Sequence, residues 1–345
     1  MANRFKPVFA GACAVALLSG LAACGNDDTA PATSDPHDIS ASEGDDTPEA
    51  EVRRDKQDII DEYEEALAEA RTTSGSGSPA LWTLSDDDTT IHMFGTVHIL
   101  RPELEWRTDE FDAAFESADK LVLEIDMESE EGMRAMAQDF QKKGLYQDGR
   151  KLSTELSSTD LEALNEALKP MGIPATSFDP MEPWMAAVTL SVLQLQSDGF
   201  NPDSGVEKTL IADAREDGKT FGYLETAAFQ ADIFDTLPED VQEEFLYETA
   251  LALPESSQML DQIVDEWADG DVTGLGVLVA NPDTGGGEGI YDALFLERNS
   301  NWVPQIEAML DEPGTVFIAV GAGHLAGPDS VITMLRDEGY EVEGP

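Results

Sequence analysis

Two short stretches of this 345-residue chain are apolar at every position: Leu121-Val122-Leu123 and Val316-Phe317-Ile318-Ala319-Val320. A strand with one face in water alternates apolar and polar residues, so an unbroken apolar strand has both faces covered. Such strands belong to sheets flanked by helices. Strand-like stretches at Leu81–Leu84, Thr90–Phe94, Lys120–Ile125, Thr220–Tyr223, Thr315–Val320 and Tyr340–Val342 are separated by helix-like ones, which predicts an α/β layer architecture. Helical spacing is clear at Met181–Gln196, Val206–Asp217, Pro238–Ala252, Glu255–Ala268, Ile290–Met309 and Ser330–Glu338. From about Thr154 to Met309 the chain reads as helical apart from one strand. The expected fold is α/β, a central mixed sheet built from both ends of the domain with a large helical insertion or cap.

The first 79 residues lie outside that pattern. Arg4 and Lys6 precede an apolar run from Pro7 to Leu18 and the sequence Leu21-Ala22-Ala23-Cys24. A basic start, an apolar run and small residues describe a secretory signal at residues 1–23, too short to span a bilayer of roughly 30 Å. The ending resembles a bacterial lipobox, in which cleavage before Cys24 leaves its thiol to carry lipid; the alternative is an ordinary signal peptide with a chance cysteine. Gly25 rather than Asp after the cysteine implies, by the same resemblance, the outer membrane. Cys13 would be lost with the signal, leaving the mature chain without a free thiol or disulfide. Residues 24–51 are rich in Asp, Thr, Ser, Pro, Ala and Glu with one large apolar residue, Ile39, and read as a solvated tether; His37 within it is given no role. Residues 52–79 combine a helical pattern (Ile59, Ile60, Tyr63, Leu67, Ala70) with a Gly/Ser break at Ser74–Pro79. That helix is either a stalk or a docking element. The domain proper is expected over residues 80–345.

Three histidines fall in the domain, His92, His98 and His324, and two share a setting. Each follows an apolar strand as Gly-x-x-His: Gly95-Thr96-Val97-His98 and Gly321-Ala322-Gly323-His324. A glycine at the strand exit permits a sharp turn, which presents an imidazole at the carboxyl end of the sheet, where α/β folds place their ligands. A third strand ends in Glu124-Ile125-Asp126, and a carboxylate there needs a partner or a metal. Two histidines and one carboxylate at three strand ends suit a divalent ion with positions left for water. The competing reading is that each Gly-x-x-His arose by chance. His92 alternates with apolar neighbours and reads as solvent-facing or packed in a layer.

Gly95–His98, the Leu-Val-Leu-Glu-Ile-Asp stretch ending at Asp126, Met181-Glu182-Pro183-Trp184 and Gly205-Val206-Glu207 together resemble the TraB/GumN family. So do Gly222–Thr226, Leu296-Glu297-Arg298-Asn299 with Trp302, and Gly321–Leu325, in the family's order. The resemblance spans about Ala80 to Val342. It implies kinship with the TIKI metalloproteases and, more distantly, with erythromycin esterases and haem-binding lipoproteins of the ChaN type. It further implies a metal held by His98, Glu124 and His324 (Mn²⁺, Co²⁺ or Zn²⁺) and catalytic roles for Glu124, Arg298 and Asn299. Glu124 would ligate or act as base, Arg298 would stabilise charge on a substrate oxygen, and Asn299 would orient substrate or a ligand. Tyr223 departs from the smaller or aliphatic residue of many relatives. The bland readings are an Arg298 in a salt bridge and a Trp302 in the core; Glu225-Thr226, also at a strand end, is either a partner supporting the site residues or, as the safer reading, a pair whose threonine caps a helix.

The chain carries 71 acidic against 20 basic residues, a formal charge of −51; without Arg4 and Lys6 the basic residues fall to 18 and the charge becomes −53. Such a surface repels phosphate backbones and anionic lipid, which argues against nucleic-acid partners and basic membrane adsorption. A lipid on Cys24 is then the expected anchor, and a salt-exposed bacterial cell envelope, facing the periplasm, the expected location. The leading functional expectation is a metal-dependent hydrolase of peptide or amide bonds with a peptide or small-molecule substrate. The alternative is a lipoprotein that binds peptide or haem without turnover.

Overall fold

The computed structural model of the chain describes residues 53–281 and 290–345. Cys24, Cys13, His37, the signal segment and the tether lie outside them. The chain opens with helix α1 (Lys56–Ala70), followed by the hairpin β1 (Leu81–Ser85) and β2 (Thr89–Thr96), then α2 (Asp109–Ser117) and β3 (Lys120–Leu123). Helices α3 (Glu130–Gly144), α4 (Leu152–Glu155), α5 (Ser158–Leu168), α6 (Pro183–Ser197) and α7 (Val206–Asp217) lead to β4 (Thr220–Tyr223). After β4 come α8 (Ala227–Asp235), α9 (Glu239–Ala252), α10 (Ser256–Asp269) and α11 (Val272–Val279), then a π-helical turn at Asp292–Leu296. The chain closes with α12 (Glu297–Met309), β5 (Gly314–Gly321), α13 (Val331–Asp337) and β6 (Val342–Glu343). Many of the starts follow local chemistry: Thr108, Ser129, Ser157, Thr226, Asp271 and Ser330 each accept a hydrogen bond from a first-turn amide.

The six strands form one mixed sheet in the order β4-β3-β5-β2-β1-β6. β2, β5, β3 and β4 run parallel, and β1 is antiparallel to both β2 and β6. The unbroken apolar strands are covered on both sides, as their sequences require. On β5, Phe317 and Ala319 enter the core beneath the helical cap, whereas Val316, Ile318 and Val320 meet Trp302, Val303 and Ile306 of α12 and Leu335 of α13 on the other face. β3 divides likewise, with Leu121 and Leu123 on the cap side and Val122 opposite. His92 pairs across the β1–β2 ladder with Thr83, whose hydroxyl lies 3.0 Å from Nδ1; it takes no part in the site below.

Helix α1 docks. Ile59, Tyr63, Ala66, Leu67 and Ala70 are buried in the same core as α9, α10 and α11. Just ahead of the helix, Arg53 forms a two-pronged bridge to Asp160 at 3.0 and 3.2 Å, and Arg54 reaches Glu248 at 3.2 Å and also pairs with Glu62. The Gly/Ser stretch, expected to be a flexible break, is tied to α10 instead. The Gly75 and Gly77 amides both donate to Asp269, at 2.8 Å each, and a Cβ on Gly75 would collide with the Asp269 carbonyl. Among the described residues no helix is long and apolar enough to cross a membrane.

Because Leu67 is buried in the shared core, Leu67→Ala is expected to cost about 2–5 kcal/mol in urea denaturation. A chain beginning at Ala80 is expected to lose more, with the cap melting ahead of the sheet in hydrogen exchange.

Candidate functional site

The four parallel strands end on one edge of the sheet, and each delivers a titratable side chain there. In spatial order these are Glu225 after β4, Glu124 after β3, His324 after β5 and His98 after β2. Helix α12 lies beside this row and adds Arg298 and Asn299, both buried. The sequence-predicted residues His98, Glu124, His324, Arg298 and Asn299 are thus brought together.

Arg298 is fully buried and uses every N–H it has. Nε donates to both Glu225 oxygens (3.0 and 3.2 Å), Nη2 to Glu124 Oε2 (2.6 Å) and Glu225 Oε2 (2.9 Å), and Nη1 to the Leu294 carbonyl (3.3 Å) and His324 Nε2 (2.8 Å). The guanidinium carbon also sits 4.9 Å from the centre of the Trp302 ring. Trp302 is core, as its sequence context suggests, yet its indole N–H donates to Glu225 Oε1 at 2.8 Å. Thr226 caps α8, and Glu225 beside it is a site residue in its own right.

The remaining acceptors of Glu124 are also filled. Oε1 takes the Gly321 amide at 2.7 Å, and Oε2 takes the Gln230 side-chain amide at 3.0 Å. Burial alone would raise its pKa, but Arg298, the nearby imidazoles and the Gly321 amide outweigh it and hold the carboxyl down at about 2.

An arginine only donates, so His324 Nε2 must accept, and the ring proton must reside on Nδ1. There it donates to Asn299 Oδ1 at 2.6 Å, while Asn299 Nδ2 donates to the Asp329 carbonyl at 2.7 Å and fixes the amide's orientation. His324 is therefore neutral, in keeping with a pKa driven well below the usual value by burial and by Arg298. Asn299 orients a histidine.

His98 has the opposite character. Nδ1 lies 2.5 Å from Glu207 Oε1. Burial would depress its pKa, but the Glu207 carboxylate, helped by Glu124, raises it above the ordinary histidine value. Gly205 makes this contact possible, since a Cβ there would lie 2.2 Å from the His98 carbonyl oxygen. The motif glycines act by the same means, rather than by the unusual backbone turn their positions suggest. Neither Gly95 nor Gly321 has a positive φ. A Cβ on Gly95 would meet Ala322 at 2.9 Å, and one on Gly321 would lie 3.2 Å from Glu124 Oε1 and 3.6 Å from both His98 Nε2 and His324 Cδ2.

That last point is where the three expected ligands converge, and it tests whether they fit an ion. His98 offers a nitrogen backed by a carboxylate, the usual surroundings of a metal-bound imidazole. His324 offers a ring carbon, because its Nε2 faces Arg298, and Glu124 is engaged on both oxygens. Among the described residues no three His, Cys, Asp or Glu side chains are grouped so as to hold a metal. As arranged, the set fits an arginine and not an ion.

The edge opens into a pocket partly exposed to solvent, with His98, Glu124, Arg298 and His324 at its polar end. Its walls are apolar, from Leu260 and Ile263 of α10, Leu275 and Val279 of α11 and Phe295 of the π-helical turn.

An α/β sheet with two Gly-x-x-His turns facing a buried Glu–Arg–Glu cluster defines the class. The match of residues 80–344 to the TraB/PrgY/gumN family model places this chain in that family. It is 24% identical over 245 residues to the uncharacterized protein YbaP of Escherichia coli (strain K12), covering 71% of this chain and 87% of the relative. An uncharacterized protein of Treponema pallidum (strain Nichols) is 23% identical over 269 residues, 74% of this chain and 79% of the relative. A short stretch of 52 residues is 48% identical to the metalloprotease TIKI1 of Danio rerio, covering 14% of this chain and 10% of that one. No solved structure matches.

Replacing Arg298 by Met would leave Glu124 and Glu225 buried without their cation. A loss of about 3–5 kcal/mol is expected in chemical denaturation at pH 7. Glu124, held at about 2 in the fold against 4.5 when free, contributes stability that is complete above about pH 4.5 and is lost as pH falls through about 2. Acid titration of Glu124→Gln, compared with the parent, is expected to lack that component.

Proposed function

We propose that the chain is a hydrolase of peptide or amide bonds, with His98 as the proton-transfer group. The observation that carries this is a largely enclosed imidazole whose Nδ1 is held by Glu207 and whose Nε2 faces the pocket beside Glu124. Neutral His98 takes a proton from water at Nε2 as the water oxygen bonds to the substrate carbonyl carbon. The same proton passes to the amine nitrogen as the carbon–nitrogen bond breaks. Glu207 keeps the Nδ1 proton in place and stabilises the imidazolium formed between these steps. Glu124, held at about 2 and saturated with donors, is too weak a base for the task, so that role goes to His98. Arg298 has no N–H to spare and acts through its charge in a site of low dielectric. The apolar walls favour a substrate with an apolar group beside the scissile bond.

The metal-dependent form of this reaction is the second reading, favoured by the carboxylate-backed Nε2 of His98 and by the short likeness to a metalloprotease. A bound Mn²⁺, Co²⁺ or Zn²⁺ would supply a water of lowered pKa, and Glu124 and His324 would have to give up Arg298 to join His98 in holding it.

A peptide-library cleavage assay on chelator-treated protein, with and without each ion, tests both readings. His98→Ala is expected to lower cleavage by about 10²–10⁴-fold; full activity in that variant overturns the proposal. The rate should rise with pH through a midpoint above 6.5, because the base works only when neutral and Glu207 raises its pKa. Glu207→Gln should move that midpoint down. Peptide or haem binding without any turnover would favour the non-catalytic alternative.

We also propose that Cys24 carries lipid and anchors the chain at the bacterial outer membrane, facing the periplasm, on the strength of the Leu-Ala-Ala-Cys ending. Labelling with a fatty-acid probe should mark the parent and not Cys24→Ala, which should appear in the soluble fraction; equal labelling of both rejects the anchor.

A further inference from the structure

We infer that Arg298 is the resident cation of this site, and that its guanidinium and a divalent ion are alternative occupants of one set of acceptors. The inference goes beyond the hydrolase reading and stands whether or not any peptide is cut. Three carboxylates, Glu124, Glu207 and Glu225, surround the strand ends, and Arg298 is bonded to two of them. Its Nη1 also occupies Nε2 of His324, the lone pair an ion would need. The planar fork matches these acceptors in a way a point charge does not: both oxygens of Glu225, one of Glu124, a ring nitrogen and a carbonyl use up all five N–H groups. The chain Asp329–Asn299–His324 then fixes the tautomer that serves an arginine, with the Nδ1 proton pointing away. An ion placed on Glu124 and His324 would lie against the guanidinium with like charge, so one cation must leave for the other to enter.

The resting chain should therefore hold no ion at His98, Glu124 and His324, and loss of the guanidinium should create a site. Arg298→Ala frees Nε2 of His324 and takes the guanidinium off Oε2 of Glu124 and both oxygens of Glu225, leaving those oxygens only their neutral donors Gln230 and Trp302, a set of carboxylate and imidazole donors suited to Co²⁺ or Zn²⁺. Arg298→Lys keeps a cation and is the control. The experiment is Co²⁺ titration of the full-length proteins, read by the visible ligand-field band, by metal content after gel filtration and by thermal denaturation. Expected are no uptake by the parent or Arg298→Lys, one equivalent in Arg298→Ala, and a Tm that climbs with Co²⁺ only in Arg298→Ala. One equivalent in the parent that disappears in His324→Ala overturns the inference, as does an Arg298→Ala protein that takes up no more Co²⁺ than the parent. If Arg298→Ala does not fold alone, it is refolded with and without Co²⁺. Recovery only with the ion supports the inference, and failure in both, or equal recovery in both, counts against it.

Discussion

The contact on which the rest of this structure depends is the guanidinium of Arg298 between Glu124 and Glu225. Two buried carboxylates side by side at neighbouring strand ends would repel each other and lose their hydration. With the arginine between them they become fixed acceptors that position Gln230, Trp302 and the Gly321 amide. The cluster also ties the two parts of the fold together: Glu124 and Glu225 follow strands of the sheet, Gln230 belongs to the cap helix α8, and Arg298 comes from α12. Stability and the electrostatics of the pocket are therefore hard to alter separately. A change that loosens the ion cluster also changes the state of both histidines.

Those histidines show how one sequence motif yields two chemistries. His98 and His324 both follow an apolar strand and a Gly-x-x step, yet one is bound to a carboxylate and the other lies between an arginine and an asparagine. One is drawn toward the protonated form and the other is held neutral. Pairs of titratable groups with environments pushed apart mark proton-transfer sites in general. The difference originates in α7 and α12, which supply Glu207 and Arg298, and not in the strands.

Much of the sheet was legible in the sequence because its signal is local. The continuous apolar runs at Leu121–Leu123 and Val316–Val320 announce strands covered on both faces, and their neighbours divide between two cores as expected. The convergence of His98, Glu124 and His324 was legible from their shared place at strand ends. What sequence reasoning missed is the pairing. Glu207 sits on a helix more than a hundred positions from His98, and only its place in the Gly205-Val206-Glu207 motif hinted at importance. Gln230 left no signal. The three-ligand arrangement drawn from motif and resemblance assigned the residues and not their ring orientations. Which atom of His324 points where is decided by Asn299 and Arg298, through contacts that no spacing rule encodes. The role of α1 was equally hidden, since an amphipathic stretch followed by Gly and Ser reads alike whether it docks or not.

Docking of α1 has a mechanical meaning. Arg53 and Arg54 stand where the described chain begins, and both are bound to the cap: to Asp160 on α5 and to Glu248 on α9. Any load carried along the N-terminal segment is thus delivered to the helical layer before it reaches the sheet. Behind α1 lie α10 and α11, two helices that also form a wall of the pocket. Tension or torque at this end of the molecule would be borne first by the wall of the pocket, and Trp267 of α10, whose indole N–H donates to the Gly95 carbonyl at 2.7 Å, links that wall to the turn carrying His98.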